Sequence, residues 1–410
     1  MTYSPSPLNT NQARTAFFER RIVLGLKLWL KHEAVKTVDV AILDQKRANI
    51  LRAISLGFEL DAAWAEVKEL VQCFSRYMER RGNWEVWYDI LHRALETAIR
   101  LNDQAGEVSL SSLLGRLSQR QSRPKQVIYH YRRAIRLARQ TNDELELARA
   151  CSNLGYYYID AGHWWRSKKL CCHALTIFHA LHYDHGLAHT HNHLGILFVR
   201  RQLWDLAEQH LRCACEFWQA MGDEHSLIYG FENLGMLYYE MGQPSKALTY
   251  LDQALRLVNS TGEQAEIGSI WNNMGLAYRE NGDFEKAVFF ANKAETVFRR
   301  YANRFNLARV WGNLGLVYQK QRKWDLAGQY FADSLAAYQT LNNYRDQATV
   351  LAHLIEIELA THNLPAAKRR LQQLTAVIDQ ANLPAQDFLT DAIIQFRSEQ
   401  EKKTAFDHQT

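Results

Sequence analysis

Leucine, aromatic and small residues return along this chain at a fixed step of 40 positions. Leu114, Leu154, Leu194, Leu234 and Leu314, with Met274 in the remaining place, each stand directly before a glycine: Gly115, Gly155, Gly195, Gly235, Gly275 and Gly315. Tyr158, Phe198, Tyr238, Tyr278 and Tyr318 follow three residues after the glycine, and Trp164, Trp204, Phe284 and Trp324 nine after it. Two columns of small residues come next, Ala207, Ala247, Ala287 and Ala327, then Ala134, Ala174, Ala214, Ala254 and Ala294. A last column is acidic or amide, Asp103, Asp143, Asp223, Glu263, Asn303 and Asn343, and falls where a new helix needs a cap.

Each period therefore reads as two helices. In the clearest case the first runs from about Leu145 to Asp160, a turn falls at Gly162, with Gly242 and Gly282 in equivalent places, and the second runs from about Trp164 to Leu181. Glycine and alanine at the crossing let two backbones approach while the aromatics fill the space beside them. One such hairpin cannot bury its own apolar stripe, so neighbours must stack into an all-α solenoid. The pattern divides the chain into a disordered lead (1–10), an N-terminal helical region (11–81), about seven stacked pairs (82–381), a capping helix (382–398) and a solvated tail (399–410). The N-terminal helices, 11–33, 39–60 and 62–81, read as out of register with the repeat.

Trp311, Leu314, Gly315 and Tyr318, followed by Ala327 and Phe331, resemble the tetratricopeptide pattern, and Trp271, Met274, Gly275 and Tyr278 resemble it with one conservative change. The likeness runs well over 101–340, with degenerate units at 81–100 (Gly82, Trp84, Ala94) and 344–381 (Leu354, Ala367). The step of 40 exceeds the family's usual 34 and the closing proline is missing, as in the long-repeat branch similar to kinesin light chains, spindle-orientation adaptors and bacterial regulators. The resemblance implies a right-handed superhelix whose first helices line a concave groove for a guest polypeptide. Asp44, Ala48, Asn49, Ile50 and Ala53, followed by Arg81, Gly82, Asn83 and Trp84, resemble the arm segment of STAND signalling ATPases, but no G-x-x-x-x-G-K-[ST] phosphate loop accompanies them.

Under that resemblance, residues at fixed offsets from the motif glycine face the guest. Two before it stand Asn153, Asn233, Asn273 and Asn313, with His193 in the fifth place. An Asn amide offers a donor and an acceptor, the pair that grips an extended peptide backbone whatever its sequence. The same amides could instead bridge adjacent helices, and both readings stand at this point. Arg149, Arg309, Arg116, Tyr156 and Arg279 complete the candidate peptide-binding set. Their guanidinium forks suit a guest with acidic side chains or a free C-terminal carboxylate, unless they are ordinary solvated charges.

His173, His179, His182, His185, His189, His191 and His193 cluster, and three of them, His185, His189 and His193, share one helical face. Zinc or nickel binding is the weaker reading, because no thiol or carboxylate completes a motif there. Protonation of these imidazoles near pH 6 is a milder alternative.

Composition narrows the functional classes. Net charge is +5, with both signs spread along the chain, so the groove is mixed in charge and nucleic acid is not expected as a partner. The apolar stretch 17–30 is broken by Glu19, Arg20, Arg21 and Lys27, which excludes a signal core or a membrane span. Six cysteines without CxxC spacing read as reduced thiols in a cytoplasmic protein. No paired catalytic carboxylates, nucleophile elbow or phosphate loop emerges, so no enzyme and no cofactor is expected. The reading is a protein-interaction scaffold or adaptor. The alternative is a stand-alone sensor acting with a STAND-type ATPase or a transcriptional regulator.

Overall fold

The computed structural model describes residues 7–38, 40–81, 84–121, 123–261, 266–300 and 303–381, with a few positions between 383 and 396. Gly82, Asn83, Glu263 and the tail 397–410 lie outside the described residues. Among the described residues the fold is all-α, with no strand, and the chain divides into two compact units, Met1–Leu197 and Phe198–Thr410.

The first unit begins with α1 (Pro7–Lys31), α2 (Glu33–Thr37), α3 (Val40–Gly57) and α4 (Trp64–Arg81). It continues through α5 (Trp84–Arg100), α6 (Gln104–Arg120), α7 (Pro124–Gln140), α8 (Glu144–Asp160), α9 (Trp164–Ala180) and most of α10 (Asp184–Arg200). The second unit holds α11 (Trp204–Met221), α12 (Glu224–Glu240), α13 (Pro244–Thr261), α14 (Ile267–Glu280) and α15 (Phe284–Arg300). It ends with α16 (Arg304–Lys320), α17 (Trp324–Thr340), α18 (Tyr344–Ala360) and α19 (Leu364–Ala381). Within each unit, consecutive helices pack as antiparallel pairs that stack into an α-solenoid.

The periodic residues build this packing as their chemistry predicts. A Cβ on Gly275 would stand 3.2 Å from the carbonyl oxygen of Ala287, and one on Gly235 would stand 3.3 Å from that of Ala247. The two helices of a pair thus cross backbone to backbone, which requires glycine on one side and a small residue on the other. Beside the crossing, Tyr238 stacks on Tyr250 at 5.4 Å, Tyr278 on Phe290 at 5.3 Å and Tyr318 on Tyr330 at 5.5 Å. Ala207, Ala247, Ala287 and Ala327 are fully buried.

The cap column behaves likewise. Asp103, Asp143, Asp223, Asn303 and Asn343 each accept a hydrogen bond from the backbone N–H three residues on, at 2.9 to 3.2 Å. That contact satisfies an otherwise orphaned donor of the first turn. The turns inside the pairs from α8 to α19 use a left-handed residue: Gly162, Gly242 and Gly282 supply it, and Gln202, Arg322 and His362 are forced into the same conformation.

Two expectations about the N-terminal region are corrected. α1 begins at Pro7, inside the segment read as a disordered lead. α4, read as out of register, lies one full period before α6, and it packs on α1 and α3 as well as on α5. The pattern was hidden because Ser75 takes the glycine's place and Trp87 replaces a small residue. Trp87 is fully buried and its indole N–H donates to Ser75 Oγ at 3.3 Å. α1, α3 and α4 share a core of Leu26, Leu43, Ile50, Ile54, Val67 and Leu70. At the other end Phe388, Ile393 and Phe396 are buried against Leu374 and Ile378 of α19.

Candidate functional site

First helices of successive pairs approach one another, α4 to α6 and α6 to α8 in the first unit, α12 to α14 and α14 to α16 in the second, more closely than the second helices do. Within each unit the first helices therefore form the inner side of the stack. The candidate residues lie on those helices.

The asparagines act first as rungs between neighbours. Asn313 Nδ2 donates to Asn272 Oδ1 at 2.8 Å, and Asn273 Nδ2 donates to Glu232 Oε1 at 3.3 Å. In the first unit Ser152 Oγ and His193 Nδ1 make the equivalent contact at 3.0 Å. The rule is that the residue two before one motif glycine meets the residue three before the preceding one. Asn313 and Asn233 are half-buried, and Asn153, also half-buried, makes no side-chain hydrogen bond among the described residues. The carbonyl oxygen of Asn273 is buried without a partner.

Three of the four candidate arginines are held by neighbours. Arg116 grips the buried Glu79 through Nε and Nη2 at 2.7 to 2.9 Å, with Arg120 reaching the same carboxylate at 3.3 Å. Arg149 bonds Glu146 at 2.6 Å and the Tyr183 hydroxyl at 2.8 Å. Arg279 is buried between Glu280 at 2.9 Å and the Tyr239 hydroxyl at 2.6 Å, and its Nη1 is left without a partner. Arg309 differs: its one hydrogen bond among the described residues is a long one of 3.4 Å to Asn306 Oδ1. Tyr156 stacks on His193 with ring centres 4.6 Å apart.

Arg309 sits in the field of two acids. Glu232 is buried, and its carboxyl is pushed up to about 8, by burial first and by the charge of Glu266 second, against the pull of Arg309. Asp346 is also held above the ordinary carboxylate range by burial, against Arg309, Asn343, Arg345 and Arg200. Glu232 was not singled out from the sequence. The signal existed as a polar column three before the glycine: Ser152, Asn192, Glu232 and Asn272.

His193 is pushed down to about 3, by burial first and then by His189, so it stays neutral at any physiological pH. Its part in a switch near pH 6 is therefore withdrawn. Among the described residues no group of three or more His, Cys, Asp or Glu is placed to hold a metal ion. No helix among them is long and apolar enough to cross a membrane.

Residues 226–300 and 310–343 match tetratricopeptide-repeat family models. The chain carries tetratricopeptide repeats of the long-period type. No curated protein matches it. Among solved structures, a Rap protein complexed with Competence and Sporulation Factor is 15% identical, covering 88% of this chain and 98% of that one at a TM-score of 0.60. Aspartyl phosphate phosphatase F from Bacillus subtilis is 13% identical over 92% of this chain and 96% of its own, at 0.56. A STAND protein with a tetratricopeptide repeat sensor from Pyrococcus horikoshii is 16% identical over 73% of this chain and 47% of its own, at 0.50. At such identities the likeness is one of fold.

Proposed function

We propose that the inner side of the first helices holds an extended peptide or the tail of a partner protein, and that the chain works as a cytoplasmic adaptor or regulator rather than as an enzyme. The observation that carries this reading is Arg309, a half-buried guanidinium on the inner side with a single long hydrogen bond, while Arg116, Arg149 and Arg279 are tied to neighbours. A guanidinium fork so placed suits a carboxylate of the guest, a side chain or a free C-terminus. Asn233, Asn273 and Asn313 lie on first helices of the second unit, as Arg309 does, and in the first unit the amide of Asn153 suits the backbone grip. A Rap protein of the same fold is complexed with Competence and Sporulation Factor, which supports a regulatory guest. Fold likeness to the sensor-bearing STAND protein favours a second reading, a sensor module acting with such an ATPase.

Photo-crosslinking residues placed at Met236 and Leu316 on the inner side, and at the exposed Trp165 and Phe289 on second helices, test this in cells. A specific crosslinked polypeptide is expected from the inner positions and lost in Arg309→Glu. Crosslinks confined to Trp165 and Phe289 would end the proposal.

A further inference from the structure

α1 carries two apolar faces, and the core covers one of them. Leu26 is fully buried, and Ile22, Val23, Trp29 and Leu30 pack beside it against the core shared with α3 and α4. At about 100° per residue, Phe17, Leu24 and Leu28 fall in one line on the opposite side of the helix. They are 57%, 58% and 62% exposed, over about 16 Å of helix. Phe18 widens the line, meeting Phe17 edge to face with ring centres 6.2 Å apart. Every side chain from Arg14 to Arg21 is exposed, so this stretch stands clear of the core.

Charge decides what such a face can meet. Arg14 and Arg21 border the line on one side, and Arg20, Lys27 and Lys31 on the other. All five are exposed, and among the described residues only Lys27 has an ion pair, at 3.4 Å from Glu66. Glu19, the one acid between Arg14 and Lys31, lies about half a turn away from the line.

A second copy of the chain would set these cations against their own kind, which disfavours pairing. A partner helix laid along the line would seal Arg21, whose guanidinium sits over the Phe17 ring at 5.6 Å, and would leave one row of cations unmatched. A planar anionic surface takes the apolar line at its centre and both rows of cations at its phosphates, because long basic side chains reach outward while their stems stay on the apolar body. We propose that α1 lies in the plane of a bilayer bearing anionic lipids, with Phe17, Leu24 and Leu28 inserted between headgroups and Arg14, Arg20, Arg21 and Lys31 on their phosphates. The basic residues that stop this stretch from spanning a membrane are the ones that fit it to the surface of one. The proposal stands apart from the peptide reading of the inner side.

Flotation of the full chain with vesicles tests it, using phosphatidylcholine alone and an equimolar mixture with phosphatidylglycerol. The mixed vesicles are expected to bind the chain about tenfold or more tightly than the neutral ones, and added salt to weaken that binding. Arg14→Gln, Arg20→Gln and Arg21→Gln should each weaken it about fivefold. The triple variant Phe17→Ser, Leu24→Ser, Leu28→Ser keeps every charge and changes only exposed side chains, so its helix content by circular dichroism should match wild type. Its binding to the mixed vesicles should fall about tenfold or more. Equal binding by that variant would show the cations acting alone and overturn the insertion of the line. No flotation with either lipid overturns the proposal and leaves the face to an acidic partner protein. A concentration-dependent dimer in sedimentation velocity, abolished in the serine variant and without flotation of wild type, assigns the face to a second copy and overturns it too.

Discussion

Glu232→Gln should make the protein more stable, by a margin that opens above about pH 4.5 and grows until about pH 8. Burial and Glu266 hold the Glu232 carboxyl at about 8 in the folded chain, against 4.5 for an ordinary glutamate. Because its folded value is raised, its contribution is fully present below about 4.5 and is lost as pH rises toward 8. At about 1.4 kcal/mol per pH unit, the loss reaches about 5 kcal/mol once the folded form ionises. Water entering the site and local opening of α12 against α14 will reduce that figure. Glutamine has the same shape, still accepts from Asn273 Nδ2, and offers an N–H for the orphaned carbonyl oxygen beside it. Urea unfolding of both proteins from pH 5 to 8.5, with hydrogen exchange of α12 and α14 as the local readout, measures the effect. Equal stability near pH 5 and a gap of several kcal/mol opening by pH 8.5 is the expected result. A gap of constant size across the range would show that Glu232 does not carry a proton in the folded state.

Four further substitutions probe the packing. Gly275→Ala should destabilise by about 1–3 kcal/mol, since its Cβ would press on the Ala287 carbonyl at 3.2 Å, whereas Gly328→Ala, with open space around it, should stabilise by up to about 1 kcal/mol; thermal melts of the two variants compare them. Arg116→Ala leaves the buried Glu79 with only the 3.3 Å contact to Arg120 among the described ion pairs, and denaturant titration should show a loss of about 2–3 kcal/mol. Arg322→Gly should gain about 1 kcal/mol by relieving a left-handed residue at φ 58°, read as a raised melting temperature.

Helix pairing, turns and caps were legible because each depends on residue types at fixed offsets within one period. Asp143 caps α8 through a residue three positions away, and Gly242 turns the chain on its own. The step from α4 to α5 was illegible because both residues at its crossing are larger than those of the later pairs: Trp87 stands in the alanine column and Ser75 in the glycine column, and the two are joined by a hydrogen bond instead. The candidate site was half legible. Offsets named the inner-side residues, but whether a guanidinium is available depends on partners a full period away. Arg116 finds Glu79 37 residues earlier, and Arg279 finds Tyr239 40 earlier. Glu232 escaped notice because a single carboxylate in a column of Ser and Asn carries no signal until Asn273 is seen folded against it.

The contact between a motif glycine and the carbonyl of the facing small residue has a bearing on how such a chain can change. Because the geometry of each pair is fixed by main chain meeting main chain at Gly235 with Ala247 and Gly275 with Ala287, the side chains one or two positions away take no part in setting it. A substitution at Met236 can therefore change what the inner side presents while the crossing of its pair stays constant, whereas Asn273 and Asn313, two before their glycines, also bridge to the preceding pair and cannot change without loosening the stack. The residue after the glycine is a replaceable letter, and the amide two before it is part of the ruler.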